Sequence, residues 1–425
     1  MNTALTVLKE RGFFSQCTNV EELSAIMDSG SVTFYVGCDP TGSSLHIGHM
    51  VPFFAFRHLL QFGHKGIALV GGGTARIGDP SGKTEMRKML SYEQLDSNAA
   101  AIKAQLDAFL GGFDGVKAVC ANNKDWLANL NYIDFLREIG SHFSVNRMLS
   151  FESYKRRMET GLSFIEFNYQ LLQSYDFLEL YRRHGCLLQI GGDDQWGNIV
   201  AGMELIRRVE GQDVKANGIT FPLVTTSDGK KMGKTEKGAV FLDPAITSPY
   251  DFFQYWRNVQ DADIKRFLLL FTFLPLDEIE KLCAPEKNPN IAKERLAYEV
   301  TLLIHGKDGA DTALAGAKAA FSGSAAGGCG DRNAMPTKKI STDTFAVGIN
   351  IVDLFTLTGL CTTKSDARRL VEQGGAFVAN ENGEFTALGD VKKLIDGSFL
   401  NGSFLQNREL VLRAGKKRFC RIIIV

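Results

Sequence analysis

Two short runs of polar residues have the composition of a phosphate site. The first is YVGCDPTGSSLHIGH, residues 35–49, where a strand-like segment passes into a turn. Ser44 could cap a helix that opens near His46. The N-terminus of a helix suits phosphate, because its first N–H groups are unpaired and its dipole end is positive. His46 and His49 add two imidazoles one turn apart, and Gly48 between them leaves room for a nucleotide.

The second run is KMGKT, residues 231–235, framed by Asp228, Gly229 and Gly238. Its charged residues are Lys231 and Lys234. Two lysines in a loop are by themselves typical of a solvated surface. The prediction therefore depends on the presence of the first run.

Taken together, the two runs resemble the HIGH and KMSKS signatures of the class I aminoacyl-tRNA synthetases. The resemblance implies that His46 and His49 stabilise charge on the α-phosphate of ATP while an amino-acid carboxylate attacks it. It places Lys231, Lys234 and Thr235 at the leaving pyrophosphate, although this chain has glycine and threonine where the consensus has serine. The family binds ATP with Mg²⁺, and the implied ATP-binding residues are Gly37, Asp39, Thr41, His46, Gly48, His49, Gly192, Asp194, Lys231 and Lys234.

A polar stripe on one helix indicates the amino acid. Tyr169, Gln173 and Asp176 are spaced i, i+4 and i+7, so they share one narrow arc of a helix. The run YQLLQSYD, residues 169–176, resembles the amino-acid pocket helix of tyrosyl-tRNA synthetases. By that resemblance Tyr35 and Asp176 hold the phenol hydroxyl of tyrosine, while Tyr169, Gln173 and Asp79 hold its ammonium. A carboxylate and a hydroxyl can satisfy both hydrogen-bonding roles of a phenol. A tryptophanyl-tRNA synthetase is the alternative within the class, and it is disfavoured because an indole offers only a donor.

The run QIGGDDQWGN, residues 189–198, follows another strand-like segment. The family resemblance assigns Gly192 and Asp194 to the ribose of ATP and Gln195 to the tyrosine carbonyl. Helix capping explains one of the aspartates without any function. At Val36 many bacterial relatives have a cysteine that contacts the ribose, and a valine cannot form that hydrogen bond.

The run GDPSGKT, residues 78–84, resembles a phosphate-binding P-loop. That motif needs four residues between its glycines, whereas this run has three, and Asp79 would place a carboxylate against phosphate. A P-loop ATPase is therefore disfavoured. The synthetase resemblance instead places Lys83 and Arg87 on a loop that assists the phosphates.

Alternating strand-like and helical segments predict an α/β fold with a Rossmann-like, parallel-sheet catalytic domain over residues 1–235. Strands are expected at 32–37, 66–71 and 187–191, with ligands at their carboxyl ends. Pro52 is expected two turns inside the helix that opens near His46, where it would cause a kink. An α-helical domain is expected over 236–321 and a linker over 322–347, which is rich in small residues. A small α+β domain is expected over 348–425.

The last domain resembles the S4 RNA-binding module in the run TKSDARRLVEQGG, residues 363–375. The resemblance implies that basic residues contact the tRNA backbone, by phosphate neutralisation. These residues are Lys364, Arg368, Arg369, Lys416, Lys417 and Arg418. A solvated charged face is the alternative.

The overall composition constrains the remaining function classes. Lys+Arg and Asp+Glu both number 48, so net charge does not indicate a nucleic-acid partner. The 8 cysteines form no CxxC pair, so no structural metal is expected, and scattered thiols favour a reducing, cytoplasmic location. No apolar run is long enough to span a membrane. The family resemblance implies that the protein forms a homodimer and that its partner is tRNA(Tyr). A non-catalytic RNA-binding protein on a synthetase scaffold stays open as an alternative.

Overall fold

The computed structural model describes residues 1–81, 89–111, 118–227, 229, 232, 234–235, 238–322, 336–379, 385–396, 408–415 and 418–425. The chain divides into two compact units. The first comprises Met1–Lys234, Ala239–Asp243 and Gln260–Ala292, and the second comprises Thr235–Gly238, Pro244–Val259 and Lys293–Val425.

A six-stranded sheet forms the centre of the first unit. Its strands are β1 (Gln16–Cys17), β2 (Thr33–Cys38), β3 (Lys65–Val70), β4 (Ala118–Asn122), β5 (Cys186–Gly192) and β6 (Asn217–Phe221). Their spatial order is β1-β6-β5-β2-β3-β4, and every neighbouring pair is parallel except β1 with β6. The predicted parallel sheet is thus confirmed, with β2, β3 and β5 at the three expected places. Strand order reverses at β2, because the chain adds β3 and β4 on one side of it and β5 on the other. Such a switch point is where α/β sheets bind ligands.

Helices cover the sheet of the first unit and connect its strands. They are α1 (Thr3–Glu10), α2 (Val20–Ser29), α3 (Met50–Gln61), α4 (Tyr92–Leu110), α5 (Lys124–Leu127), α6 (Tyr132–Glu138), α7 (Val145–Ser150), α8 (Glu152–Thr160), α9 (Phe164–Phe167), α10 (Tyr169–His184) and α11 (Trp196–Glu210). After α12 (Pro249–Arg257), which belongs to the second unit, the first unit ends with α13 (Ile264–Phe271) and α14 (Leu276–Leu282). Short strands β7 (Lys234–Thr235) and β8 (Gly238–Ala239) precede α12.

The helix expected near His46 begins differently from the prediction. His46 itself is the cap, and its side chain accepts the Gly48 N–H at the start of a 3₁₀ turn, Ile47–His49. Ser44, the predicted cap, donates instead to the Leu45 carbonyl. Because α3 begins only at Met50, Pro52 lies in the first helical turn, where a missing N–H costs little. The prediction that Pro52 lies two turns inside the helix is therefore wrong.

The second unit contains α15 (Pro289–Ser322) from Lys293 onward and a five-stranded sheet. Helix α15 is interrupted at Gly306, where φ is 74°. The sheet has the order β12-β11-β14-β15-β9. The strands after β8 are β9 (Thr337–Ile340), β10 (Ile349–Asn350), β11 (Ala376–Ala379), β12 (Phe385–Ala387), β13 (Leu394–Ile395), β14 (Glu409–Ala414) and β15 (Arg418–Ile424). The remaining helices are α16 (Thr342–Val347), α17 (Ile351–Leu357) and α18 (Lys364–Glu372).

Two features of this C-terminal part bear on the sequence predictions. Helix α18 is capped by Thr363, as the TKSDARRL run predicts. Strand β9 lies inside the predicted linker of 322–347, yet it pairs in parallel with β15. The three-domain division itself stays a prediction. In the part of the chain described here, no helix is long and apolar enough to cross a bilayer.

Candidate active site

The carboxyl ends of β2 and β3 bring Asp39 to the centre of a polar cluster. Thr74 donates its hydroxyl to Asp39 Oδ1 at 2.7 Å, and Tyr169 donates its hydroxyl to Asp39 Oδ2 at 3.1 Å. Gly71 permits this approach, because a Cβ there would overlap Asp39 Oδ1 and Thr74 Oγ1. A predicted ATP-binding residue and a predicted tyrosine-binding residue are thus directly hydrogen bonded.

Asp176 and Tyr35 are buried together beneath this cluster. Asp176 is 2% exposed, and its two oxygens accept hydrogen bonds from Asn123 Nδ2 at 2.9 Å and Trp126 Nε1 at 2.7 Å. Burial raises the pKa of Asp176 from 3.8 to about 8, and the two N–H donors oppose that shift. Tyr35 is 1% exposed, and its hydroxyl has no hydrogen-bond partner among the described residues. Its pKa is raised well above its ordinary value by burial and by the Asp176 carboxylate. A buried hydroxyl of this kind can form a hydrogen bond with a polar group of a ligand.

A chain of hydrogen bonds joins Asp176 to Asp39. Asn123 Nδ2 also donates to Thr74 Oγ1 at 2.9 Å, and Asn123 Oδ1 accepts the Gly73 N–H at 2.7 Å. The amide of Asn123 is therefore held in one orientation. The chain runs from Asp176 through Asn123 and Thr74 to Asp39, so a residue predicted to bind tyrosine and one predicted to bind ATP are structurally connected.

A second network surrounds Asp79. Gln195 Nε2 donates to Asp79 Oδ2 at 2.9 Å, and Gln173 Nε2 donates to Gln195 Oε1 at 3.2 Å. Asn198 Nδ2 is within hydrogen-bond distance of Gln173 Oε1 at 3.1 Å and of Ser81 Oγ at 3.3 Å. Three residues predicted to bind tyrosine are thus brought together. Asn198 and Ser81 were not predicted as site residues, although they lie within the runs 189–198 and 78–84.

The histidine pair has a defined arrangement. His46 Nδ1 accepts the Gly48 N–H at 3.0 Å, and His49 Nδ1 accepts the His46 N–H at 3.2 Å. The two rings stack with centroids 3.7 Å apart. In the neutral rings the proton is therefore on Nε2, the nitrogen that can donate to a phosphate oxygen. A Cβ on Gly48 would lie 2.8 Å from His46 Cε1, so any larger residue there would displace the imidazole from this arrangement.

Met232 of the second signature lies next to Gly48 of the first. Met232 is 5% exposed, and its N–H donates to the Val224 carbonyl at 3.2 Å. A Cβ on Gly48 would come within 3.5 Å of the Met232 carbonyl oxygen. Beyond the signature, Ile47 N–H donates to the Val240 carbonyl at 3.0 Å. Lys231, Lys83 and Arg87 lie outside the described residues, and Lys234 and Thr235 are described only as the backbone of β7.

The other predicted ATP-binding residues line the exits of β2 and β5. Gly37 is exposed near the end of β2, and the Thr41 N–H donates to the Asp39 carbonyl at 2.8 Å. A Cβ on Gly192 would lie 2.6 Å from Asp194 Oδ1. Val36 is buried in the sheet at 3% exposure.

Asp193, to which the sequence assigned no definite role, holds the turn before α11 in place. Its carboxylate accepts hydrogen bonds from Ser15 Oγ at 2.8 Å and from Thr220 Oγ1 at 2.5 Å. These bonds tie the 3₁₀ turn Asp193–Gln195 to β6 and to the residue before β1. Asp193 therefore supports Asp194 and Gln195.

The predicted RNA-binding residues lie in the second unit. Arg368 and Arg369 are exposed on α18, and Lys364 forms an ion pair with Asp353 at 2.6 Å. Arg418 donates to the Leu360 carbonyl at 2.6 Å, which anchors it to the fold. Lys416 and Lys417 lie outside the described residues. Within the described ranges, no three His, Cys, Asp or Glu residues are grouped as a metal site.

Comparison with known proteins agrees with this geometry. Residues 27–322 match the family model of class I tRNA synthetases (W and Y). The chain is 62% identical over 424 residues to a tyrosine–tRNA ligase of Treponema denticola, covering 100% of both chains. It is 60% identical over 423 residues to that of Treponema pallidum, covering 100% of this chain and 99% of the other.

A solved structure is similar as well. The C-terminally truncated mitochondrial tyrosyl-tRNA synthetase of Aspergillus nidulans superimposes with a TM-score of 0.66 at 31% identity, over 74% of this chain and 93% of that one. A tryptophanyl-tRNA synthetase from Giardia lamblia shares the fold at a TM-score of 0.55 and 17% identity, over 72% of this chain and 87% of that one. From the family model and the full-length relatives, the chain belongs to the class I aminoacyl-tRNA synthetases, within the tyrosyl-tRNA synthetase family.

Proposed function

We propose that this chain activates L-tyrosine with ATP and transfers it to tRNA(Tyr). In the first step a tyrosine carboxylate oxygen attacks the α-phosphorus, the bond to the β-phosphate oxygen breaks, and pyrophosphate leaves. The resulting tyrosyl-adenylate is then attacked by a terminal ribose hydroxyl of the tRNA, and AMP leaves. The observation that carries the choice of tyrosine is the buried pair of Tyr35 and Asp176, with the Tyr35 hydroxyl lacking a partner among the described residues.

The phenol of the substrate fits this pair because it both donates and accepts. Its O–H donates to Asp176 while its oxygen accepts from Tyr35, which leaves neither buried group unsatisfied. Phenylalanine would leave the Tyr35 hydroxyl without a partner, and Asp176 would keep only its bonds to Asn123 and Trp126. An indole could donate to Asp176 but would leave the Tyr35 hydroxyl without an acceptor.

The other end of tyrosine is charged and meets the second network. We assign its ammonium to Asp79, Tyr169 and Gln173, and its carbonyl to Gln195. The Asp79 carboxylate supplies the countercharge, and a charge-assisted hydrogen bond is stronger than a neutral one. The direct hydrogen bond from Gln195 to Asp79 supports placing both groups at one end of the substrate.

ATP is assigned to the exits of β2 and β5 and to the two signatures. His46 and His49 would donate from Nε2 to the α-phosphate, and Lys231, Lys234, Thr235, Lys83 and Arg87 would meet the leaving pyrophosphate. The ribose is assigned to Gly192 and Asp194, and the rest of the nucleotide to Gly37, Asp39, Thr41 and Gly48. Mg²⁺ enters with ATP and neutralises phosphate charge.

The whole activity is tested by ATP–pyrophosphate exchange with each of the twenty amino acids. We expect exchange with L-tyrosine in the presence of Mg²⁺, and far weaker exchange with phenylalanine and tryptophan. Equal exchange with phenylalanine would contradict the assignment of the phenol. Hydrolysis of ATP with no amino acid present would favour an ATPase, and RNA binding without exchange would favour the non-catalytic alternative.

The remaining organisation is proposed from the family and the C-terminal elements. We assign residues 1–235 to the catalytic domain, 236–321 to a helical domain and the C-terminal part to an S4-like RNA-binding domain. The pairing of β9 with β15 favours starting that last domain at 336 rather than at 348. We propose a cytoplasmic location.

A homodimer is supported by exposed apolar side chains in one segment of the first unit. These side chains are Tyr132, Ile133, Leu136, Val145, Met158 and Phe164.

Reversing two charges on α18 is expected to impair tRNA charging and spare activation. Arg368→Glu with Arg369→Glu removes two exposed cations, so the KM for tRNA should rise while ATP–pyrophosphate exchange stays at the wild-type rate. Each lost phosphate contact should reduce the salt slope of tRNA binding by about 0.7–0.9. The matched control is Arg368→Lys with Arg369→Lys, which keeps both charges. Unchanged aminoacylation by the glutamate variant would show that α18 does not contact tRNA.

A further inference from the structure

A carboxylate outside both signatures holds the chain just before the second signature. Asp263 is 3% exposed and lies immediately before α13. Its Oδ2 accepts the Ser227 N–H at 2.9 Å and the Ser227 hydroxyl at 3.0 Å. Ser227 precedes Lys231 by four positions in the sequence. Asp263 therefore fixes a residue that lies shortly before the KMGKT run in the sequence.

Arg266 adds a second connection one turn further along α13. Its guanidinium donates to the Thr225 carbonyl and, at 3.2 Å, to Asp263 Oδ1. Thr225 and Ser227 are thus bound to a single turn of one helix. The Gly229 N–H also donates to the Thr226 carbonyl at 2.8 Å.

Helix α13 is itself fixed at its other end. Arg11 is 6% exposed, and its guanidinium donates to the carbonyls of Leu269, Thr272 and Leu274 at 3.2, 2.9 and 2.6 Å. These carbonyls lie at or just beyond the C-terminus of α13, where backbone oxygens lack helical partners and a cation is favourable. Helix α13 is therefore anchored at the end opposite to its contacts with Thr225 and Ser227.

The chain after the second signature is tied to the first signature. Ile47 N–H donates to Val240, and Leu242 N–H donates to Leu45 at 2.8 Å. Ser44 Oγ accepts the Asp243 N–H at 3.2 Å. The described residues on the two sides of the KMGKT run thus have different partners, Asp263 and Arg266 before it and residues 44–47 after it. The contacts after the run involve two backbone hydrogen bonds and the Ser44 hydroxyl, whereas those before it depend on the side chains of Asp263 and Arg266.

We propose that Asp263 is a positioning residue for adenylate formation, acting through Ser227 and Arg266 on the placement of the second signature. This inference rests on the proposed function. An asparagine at 263 has one acceptor oxygen in place of two, so it can serve Ser227 or Arg266 but not both. Losing either contact removes one of the constraints on residues 225–227, which precede Lys231 and Lys234 in the sequence. The effect should appear in the chemical step and not in tyrosine binding, since Asp263 belongs to neither tyrosine network.

The test compares full-length Asp263→Asn with Asp261→Asn, a matched change in the same 3₁₀ turn. We expect the single-turnover rate of tyrosyl-adenylate formation at saturating ATP to fall about tenfold in Asp263→Asn, the factor that corresponds to one lost hydrogen bond of about 1.4 kcal/mol. The equilibrium Kd for tyrosine should stay within about twofold and the Tm close to wild type, and Asp261→Asn should match the wild type in all three measurements.

Arg266→Met provides a second variant, because its side chain is 45% exposed and its replacement leaves the core intact. We expect the same selective loss of rate, and partial recovery in Arg266→Lys. A folded Asp263→Asn or Arg266→Met variant with the wild-type rate would overturn the inference. So would a parallel loss of tyrosine affinity and Tm, which would mark a general structural role. Absence of tyrosine-dependent exchange in the wild-type protein would instead refute the proposed function.

Discussion

Asp176→Asn is expected to lower kcat/KM for tyrosine by about two to three orders of magnitude. Both oxygens of Asp176 accept N–H donors, whereas an asparagine offers one oxygen and places its own N–H₂ against Asn123 or Trp126. Asn123 cannot rotate its amide to compensate without losing its bonds to Gly73 and Thr74. A buried donor without an acceptor costs about 1–3 kcal/mol, and a hydrogen bond to a charged group contributes about 1.5–3 kcal/mol. Steady-state exchange with tyrosine measures the loss.

Tyr35→Phe is the matched comparison within the same pocket. It removes one neutral hydrogen bond to the phenol, so the preference for tyrosine over phenylalanine should fall by about 0.5–1.5 kcal/mol. The folded protein should not lose stability, since the Tyr35 hydroxyl has no partner in the described part of the chain. If neither variant changes the ratio of kcat/KM for tyrosine to that for phenylalanine, the phenol is recognised elsewhere.

The pH dependence of tyrosine binding gives an independent readout of Asp176. Burial raises the pKa of this carboxyl to about 8, and a phenol that donates to it favours the ionised form. Binding of tyrosine should therefore lower that pKa and release a proton. The KM for tyrosine is expected to fall as the pH rises from about 6 to about 8, and this dependence should be absent in Asp176→Asn. An identical pH profile in both proteins would exclude Asp176 as the titrating group.

His49→Ala is expected to slow adenylate formation by about 10²–10³-fold and to leave tyrosine affinity near the wild-type value. The lost group is an Nε2–H donor assigned to charge that develops in the transition state, and removing one such donor costs about 2.7–4 kcal/mol. Single-turnover rates, combined with equilibrium binding of tyrosine, separate the chemical step from binding.

Two amide replacements separate the roles of the two ring nitrogens. His49→Asn can still accept the His46 N–H through its side-chain oxygen, so it should preserve the turn but lose most of the rate. His49→Gln can place an N–H near the position of Nε2 and should retain more of the rate. His184→Ala, at an exposed histidine, is the control for unrelated effects of removing an imidazole. Weakened tyrosine binding with an unchanged chemical step would contradict the assignment.

The sequence by itself determined the parts of this protein that depend on short spacings. Tyr169, Gln173 and Asp176 fall on one arc of α10 because helical geometry fixes the direction of residues four and seven positions apart. Strands β2, β3 and β5 were predicted from local apolar runs that end in glycine. Each of the two signatures is a short continuous run of sequence, so it too could be recognised without the fold. The assignment of Tyr169, Gln173 and Asp176 to tyrosine came from the resemblance of the run 169–176 to a known pocket helix, because spacing alone does not indicate a ligand.

Only the tertiary structure identified the residues that hold those groups in place. Thr74 meets Asp39 across 35 positions, Asn123 meets Asp176 across 53, and Gln195 meets Asp79 across 116. No local periodicity encodes such pairs, because they form where separate strand ends converge. The same holds for β9, which gains its strand partner from β15 at the far end of the chain. The turn at His46 also depended on tertiary context. The Ser44 hydroxyl accepts hydrogen bonds from Gln105 Nε2 and from the Asp243 N–H, and His46 caps the turn instead.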